Sequence, residues 1–121
     1  MLFEECSNSQ SQGNVGMGQA IAYYTQKGQT VSIPLNDCQE YDLVVEYPDG
    51  LKKVQVKTTK SKAPSGKYIV GLRTMSGYKD KYSYKVGKYD ILFVVTEMGQ
   101  IHEYTSKQLE GYKNCLTLPS L

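Results

Sequence analysis

Tyr41-Asp42-Leu43-Val44-Val45-Glu46-Tyr47, then Pro48-Asp49-Gly50, then Leu51-Lys52-Lys53-Val54-Gln55-Val56-Lys57-Thr58-Thr59 is the most strongly patterned segment of the chain. Two runs rich in β-branched and aromatic residues flank a Pro-Asp-Gly turn signal, the pattern of a β-hairpin. With a loop of Pro48 to Leu51, Tyr47 is expected to pair with Lys52. Asp42 then lies across from Lys57, and Val44 across from Gln55. Side chains alternate with period two along a strand, so Asp42, Gln55 and Lys57 are expected to share one face.

That trio has a definite chemistry. The Asp42 carboxylate and the Gln55 amide oxygen, with the Val56 backbone carbonyl between them, offer hard oxygen ligands to Mg²⁺, with Mn²⁺ as a substitute. A lysine beside such a site can orient or deprotonate a water and offset negative charge in a transition state. Hydrolysis of a phosphodiester is the reaction class that follows. The same spacing also fits Asp42 as a strand-entry residue and Gln55 and Lys57 as polar residues on an exposed sheet face.

Working outward, the net charge of +2 conceals a segregation. Residues 1–51 set Lys27 alone against seven acids, whereas residues 52–88 set eleven basic side chains against Asp80 alone. The basic block is interleaved with Tyr68, Tyr78, Tyr82, Tyr84 and Tyr89. Lysines neutralise phosphates and tyrosines add flat contact area, so the block is expected to meet a nucleic acid. Lys60, Lys62, Lys67, Lys79 and Lys81 are the expected phosphate contacts; Arg73, Tyr78 and Tyr82 are the expected groove or base contacts. A solvated lysine face is the plainer alternative, but it normally carries interspersed acids, which are missing here.

The rest of the chain frames the hairpin. At 121 residues, 40% of them apolar, there is material for one core. Residues 1–12 lack an apolar period and read as an N-terminal arm, with residues 13–121 as the domain. Met17, Ala20, Ile21 and Tyr24 recur at helical spacing, predicting a helix over 15–27 that Gly28 ends. Strands are expected at 30–34, 41–47, 51–59, 68–73, 90–96 and 100–104, and a short helix from Thr105 or Ser106 to Tyr112. This order describes one α/β domain of sandwich type rather than a doubly wound one. Gly13, Gly16 and Gly18 lack the strand and the Gly-Lys-Ser/Thr of a phosphate loop, so helix entry and close packing explain them better. Three widely spaced cysteines with one histidine do not make a zinc site and read as free buried thiols of a reducing cytoplasm. No apolar stretch is long enough to span a membrane.

Gly28, Pro34, Tyr41-Asp42-Leu43-Val44-Val45, Val54-Gln55-Val56-Lys57-Thr58-Thr59 and the later Tyr89-Asp90-Ile91-Leu92-Phe93-Val94-Val95 together resemble the PD-(D/E)XK nucleases. Within them, they resemble the bacterial homing endonucleases encoded in group I introns, where a glutamine in the place of Gln55 is a familiar variant. The resemblance implies an αβββαβ core with a mixed central sheet flanked by helices. It further implies Mg²⁺-dependent cleavage of double-stranded DNA, and assembly into a homodimer or homotetramer so that two sites meet one duplex. The chain departs from the family in two places. Tyr41 precedes Asp42 where the name has proline, and the literal Pro48-Asp49 is better read as the turn. Many members also carry a glutamate on the first helix, eleven residues before its terminal glycine, where this chain has Met17. Charge neutralisation of a metal then falls on Asp42, with Glu46, Glu4 or Glu5 as possible helpers.

Three functions fit these residues: a site-specific homing endonuclease, a Holliday-junction resolvase of similar motif that recognises branched shape, and a catalytically silent DNA-binding subunit.

Overall fold

A computed structural model describes residues 1–36, 40–72, 88–112 and 114–120. In chain order the elements are α1 (Ser9–Gln26), β1 (Val31–Ser32), β2 (Leu43–Tyr47), β3 (Gly50–Thr59), β4 (Ile69–Gly71), β5 (Ile91–Thr96), β6 (Ile101–Thr105) and β7 (Cys115–Thr117). Five strands form one mixed sheet in the order β1-β2-β3-β5-β6, and β4 pairs with β7 in a separate ribbon. Only the β3–β5 contact is parallel within that sheet. A parallel pair needs a long crossover, and here the chain between β3 and β5 makes it. Much of that crossover, residues 73–87, lies outside the described residues.

The interior strand β5 explains why the sheet has two covered faces. Its Phe93 and Val95 join Leu43, Val45 and Val54 beneath Ala20 and Tyr24 of α1, while Leu92 and Val94 face a second cluster with Val70, Leu72, Tyr89, Leu109, Leu116 and Leu118. A continuous Ile-Leu-Phe-Val-Val run is what a strand buried on both sides requires.

The helix begins earlier than its apolar stripe predicts. Asn8 caps it, its Oδ1 accepting from the Ser11 N–H at 2.8 Å, which satisfies one of the unpaired donors of the first turn. Residues 9–12 need no apolar period because this end of α1 borders a polar cleft. The expected division after residue 12 therefore falls inside α1, and the segment before the helix is anchored: Phe3 is 5% exposed within the core, and the Leu2 N–H donates to the Glu97 carbonyl. Gly28, at φ +80°, ends α1 as expected.

The hairpin register differs from the expected one by two residues. Pro48 and Asp49 alone form the turn, so Tyr47 pairs with Gly50, Val44 with Lys53 and Leu43 with Val54. Gly50 adopts φ +131°, which an L side chain rarely tolerates. That conformation lets the turn close two residues tighter. An even shift preserves which side chains share a face, and Asp49 is taken up in an ion pair with Lys52 at 3.2 Å.

Two further expectations are corrected. Residues 106–111 form successive turns rather than a helix, although Thr105 and Gln108 make the reciprocal cap of a helix start. Gly111, at φ +94°, ends the segment too soon for helical propagation. Burial of the thiols is not observed either: Cys6 is half-buried and Cys115 is exposed on β7, a strand whose three residues were too few to announce it.

Candidate active site

Beyond Val54, β3 stays paired with β5 on one edge, while among the described residues no strand continues along the edge that β2 has left. The Asp42 N–H donates to the Val54 carbonyl at 2.8 Å, and the Asp42 Oδ2 accepts the Val56 N–H at 2.8 Å. The carboxylate thus stands where the next residue of β2 would have stood. On a strand, the N–H and C=O of one residue point to the same edge. The Val56 carbonyl is therefore directed into the gap beside Asp42.

A cleft of about 410 Å³ opens there, lined by Asp42, Gln55, Val56, Lys57 and Thr58 on the strand side and by Gln10, Gly13, Asn14 and Met17 on the helix side. The structure brings the predicted trio together, and it places Met17 opposite them. Asp42 and Lys57 are half-buried. Burial pushes the Asp42 carboxyl up from its ordinary range, opposed by the Val56 N–H and the positive charge of Lys57. Burial likewise pulls the Lys57 ammonium down, opposed by the Asp42 charge. Each group thus stabilises the other's charged form against a shared desolvation penalty.

Two contacts seat the helix wall against this strand. Gln12 Nε2 donates to Thr58 Oγ1 at 2.8 Å. At Gly16 a Cβ would lie 2.4 Å from the Thr58 methyl, so only glycine permits α1 to approach this closely. Close packing was the expected role of these glycines, and Gly16 fills it; the positions where a Cβ at Gly13 or Gly18 would sit are open.

The donor set suits a hard divalent ion. Asp42 keeps one oxygen beyond its bond to Val56, Gln55 brings an amide oxygen, and the Val56 carbonyl faces the same opening. Mg²⁺ sites commonly combine one or two carboxylates with neutral oxygens, waters and substrate phosphate. Among the described residues no three His, Cys, Asp or Glu side chains cluster as a metal cage. Glu4, Glu5 and Glu46 do not line the cleft; Glu4 pairs with the N-terminal ammonium.

Of the expected DNA contacts, Lys60 is exposed just past β3, beside Gln12 and the N-terminus of α1. Lys62 stands over the Tyr68 ring at 5.1 Å, and Lys67 is exposed in the loop that follows. Arg73, Tyr78, Lys79, Lys81 and Tyr82 lie outside the described residues. Gln10 and Asn14, which the sequence reading passed over, enter the cleft because they continue the Met17 stripe back at helical spacing.

The model of the PD-(D/E)XK endonuclease family matches residues 7–105. No protein of curated function matches the chain in sequence. Among solved structures, the fold is similar to that of a bacterial homing endonuclease, I-Ssp6803I, with a TM-score of 0.79 and 24% identity over 95% of this chain and 80% of the other.

Proposed function

The chain belongs to the PD-(D/E)XK endonuclease family, and from that premise we propose that it is a Mg²⁺-dependent, site-specific endonuclease of homing type acting on double-stranded DNA. The observation that carries this reading is the single cleft in which Asp42, Gln55 and Lys57 converge. The Asp42 carboxylate, the Gln55 amide oxygen and the Val56 carbonyl would hold the divalent ion, which supplies Lewis-acid stabilisation of the phosphate when bound. Lys57 is the group that manages the proton. Its ammonium is easier to deprotonate than an ordinary lysine, so its Nζ can accept a proton from water as the water oxygen attacks phosphorus and the P–O bond to the leaving oxygen breaks. Returned to its charged form, Lys57 offsets the charge on the reacting phosphate. Lys60, Lys62 and Lys67, with Arg73, Tyr78, Lys79, Lys81 and Tyr82, would contact the duplex beyond the cleft. A homodimer or homotetramer would bring two such clefts to the two strands.

One observation favours a second reading. Met17 faces Asp42 where many members of the family have an acid, which suits a subunit that binds DNA without cutting it.

Cleavage of a randomised duplex library with Mg²⁺ tests both. The expected result is cutting at one preferred sequence by the parent, and no cutting but retained binding by Lys57→Ala. Binding without cutting by the parent supports the silent subunit. Preferential cutting of four-way junctions regardless of sequence supports a resolvase instead. A Lys57→Ala variant that cuts at the parental rate removes the role given to Lys57.

A further inference from the structure

The helix wall of the cleft contains no ionisable side chain. Indeed α1 carries no Asp, Glu, Lys, Arg or His along its whole length, Ser9 to Gln26. What it presents to Asp42, Gln55 and Lys57 is Gln10 and Asn14, one turn apart, with Met17 one turn further. Among the described residues, Gln12 commits its amide to Thr58, whereas no hydrogen bond holds the side-chain amides of Gln10 and Asn14. Both are exposed at the mouth of the cleft.

An acid at this wall would repel a phosphate until a cation arrived. Amides do the opposite: each offers two N–H donors and no charge, and such side chains are regular partners of the DNA backbone. Across the cleft, the charges of Asp42 and Lys57 offset one another. With no further acid lining it among the described residues, the cleft does not need a metal before it can admit an anion.

We propose that Gln10 and Asn14 form a neutral phosphate-binding wall, which takes the non-bridging oxygens of a DNA phosphate in the cleft whether or not a divalent ion is present. This rests on the nuclease reading for the identity of the anion, and it goes beyond that reading in assigning a binding site to α1 and an order of events in which DNA can enter first.

The test is fluorescence anisotropy with labelled duplex DNA in EDTA, across a salt series, so that no cleavage is involved. The Gln10→Ala/Asn14→Ala pair should weaken binding by about ten-fold or more, the scale of hydrogen bonds to a charged partner. Because amides displace no counterions, the slope of log affinity against log salt should stay the same. Lys60→Ala, by contrast, should flatten it by about 0.9 if Lys60 contacts a phosphate. Asn14→Asp, nearly the same size and therefore a control for folding, should weaken binding in EDTA and recover much of it with Ca²⁺. Parental affinity in the double variant overturns the proposal, as does a flattened slope or an Asn14→Asp variant indifferent to Ca²⁺. A parent that binds no duplex in EDTA also overturns it, yet leaves the nuclease reading intact, since that needs binding only with metal. Conversely, a Lys57→Ala variant that cuts normally damages the proposed chemistry without touching this result.

Discussion

Asp42 and Asp90 are built alike and end differently. Each follows a tyrosine, each stands one residue before a strand that flanks β3, and each fastens that strand to β3 with its own N–H and its carboxylate. The Asp90 N–H donates to the Lys53 carbonyl and its Oδ2 accepts the Lys53 N–H, both at 2.8 Å. Asp42 spans two residues instead, giving its N–H to Val54 and taking one from Val56. On the Asp90 side, both polar groups of Lys53 are consumed and the ladder closes. On the Asp42 side, the Val56 carbonyl is left over, facing a cleft that also holds Gln55 and Lys57. A strand-entry aspartate is thus an ordinary structural device. It becomes a candidate catalytic residue only where the sheet ends beside it and the helix leaves room.

Removing each carboxylate in turn separates the two roles. Asp42→Ala should lower the single-turnover cleavage rate by about 10³-fold or more, since it takes from the cleft the only acid among the described residues that line it. Asp90→Ala should leave the cleavage rate of folded protein within a few-fold of the parent. It should nevertheless cost about 1–3 kcal/mol in urea unfolding, the scale of a half-buried N–H losing its partner. Equal losses of cleavage rate in the two variants, measured well below their unfolding midpoints, would mean that Asp42 too is only a fastener.

How much of this was legible in the sequence follows from where the information lies. The hairpin, the run Ile91 to Thr96 and the trio on one face could be read, because alternation and turn chemistry are local. A two-residue error in register left the face assignment intact, because the period is also two. The start of α1 was not legible from periodicity, since residues 9–12 turn toward a polar cleft and carry no stripe; only Asn8 signalled it. The roles of Gln10 and Asn14 were hidden for the same reason: an amide on a helix announces nothing until the opposite wall is known. The β4–β7 ribbon joins segments more than forty residues apart, which no local pattern reveals.

A second prediction asks whether the cleft, which separates Asp42 from Asp90 in function, depends on the approach of α1. Gly16→Ala would drive a methyl into Thr58 Cγ2 and push the helix off β3, at a cost of about 1–3 kcal/mol from overpacking. The higher helix propensity of alanine returns up to about 1 kcal/mol of that. Cleavage should fall by more than this modest loss of stability explains, because Lys57 adjoins the displaced contact. Adding Thr58→Ser removes the offending methyl and keeps the hydroxyl that accepts from Gln12. The double variant should therefore regain both stability and rate, and a double-mutant cycle without coupling would show that the contact does not shape the cleft.

The smallest expected effect comes from Met17. Among the described residues, Asp42 is the one carboxylate lining the cleft, and Met17 lines it from the helix side. Met17→Glu places a second carboxylate there, beside apolar packing that Met17 now supplies to the core. Without metal, the new charge is poorly solvated and repels Asp42, so the melting temperature should drop. With Mg²⁺, two carboxylates in place of one should bind the ion more tightly. At ten times its dissociation constant, an ion that binds only the folded state contributes about 1.4 kcal/mol. Raising Mg²⁺ should then lift the melting temperature of the variant more than that of the parent, and less Mg²⁺ should be needed for half-maximal cleavage. The same glutamate cannot act through Asp90, which lies on the other edge of β3, so Asp42→Asn in the Met17→Glu background should remove most of the Mg²⁺ response, and Asp90→Asn none of it. If Met17→Glu is destabilised equally with and without Mg²⁺, residue 17 is purely a packing position, and Asp42 holds the ion with neutral partners alone.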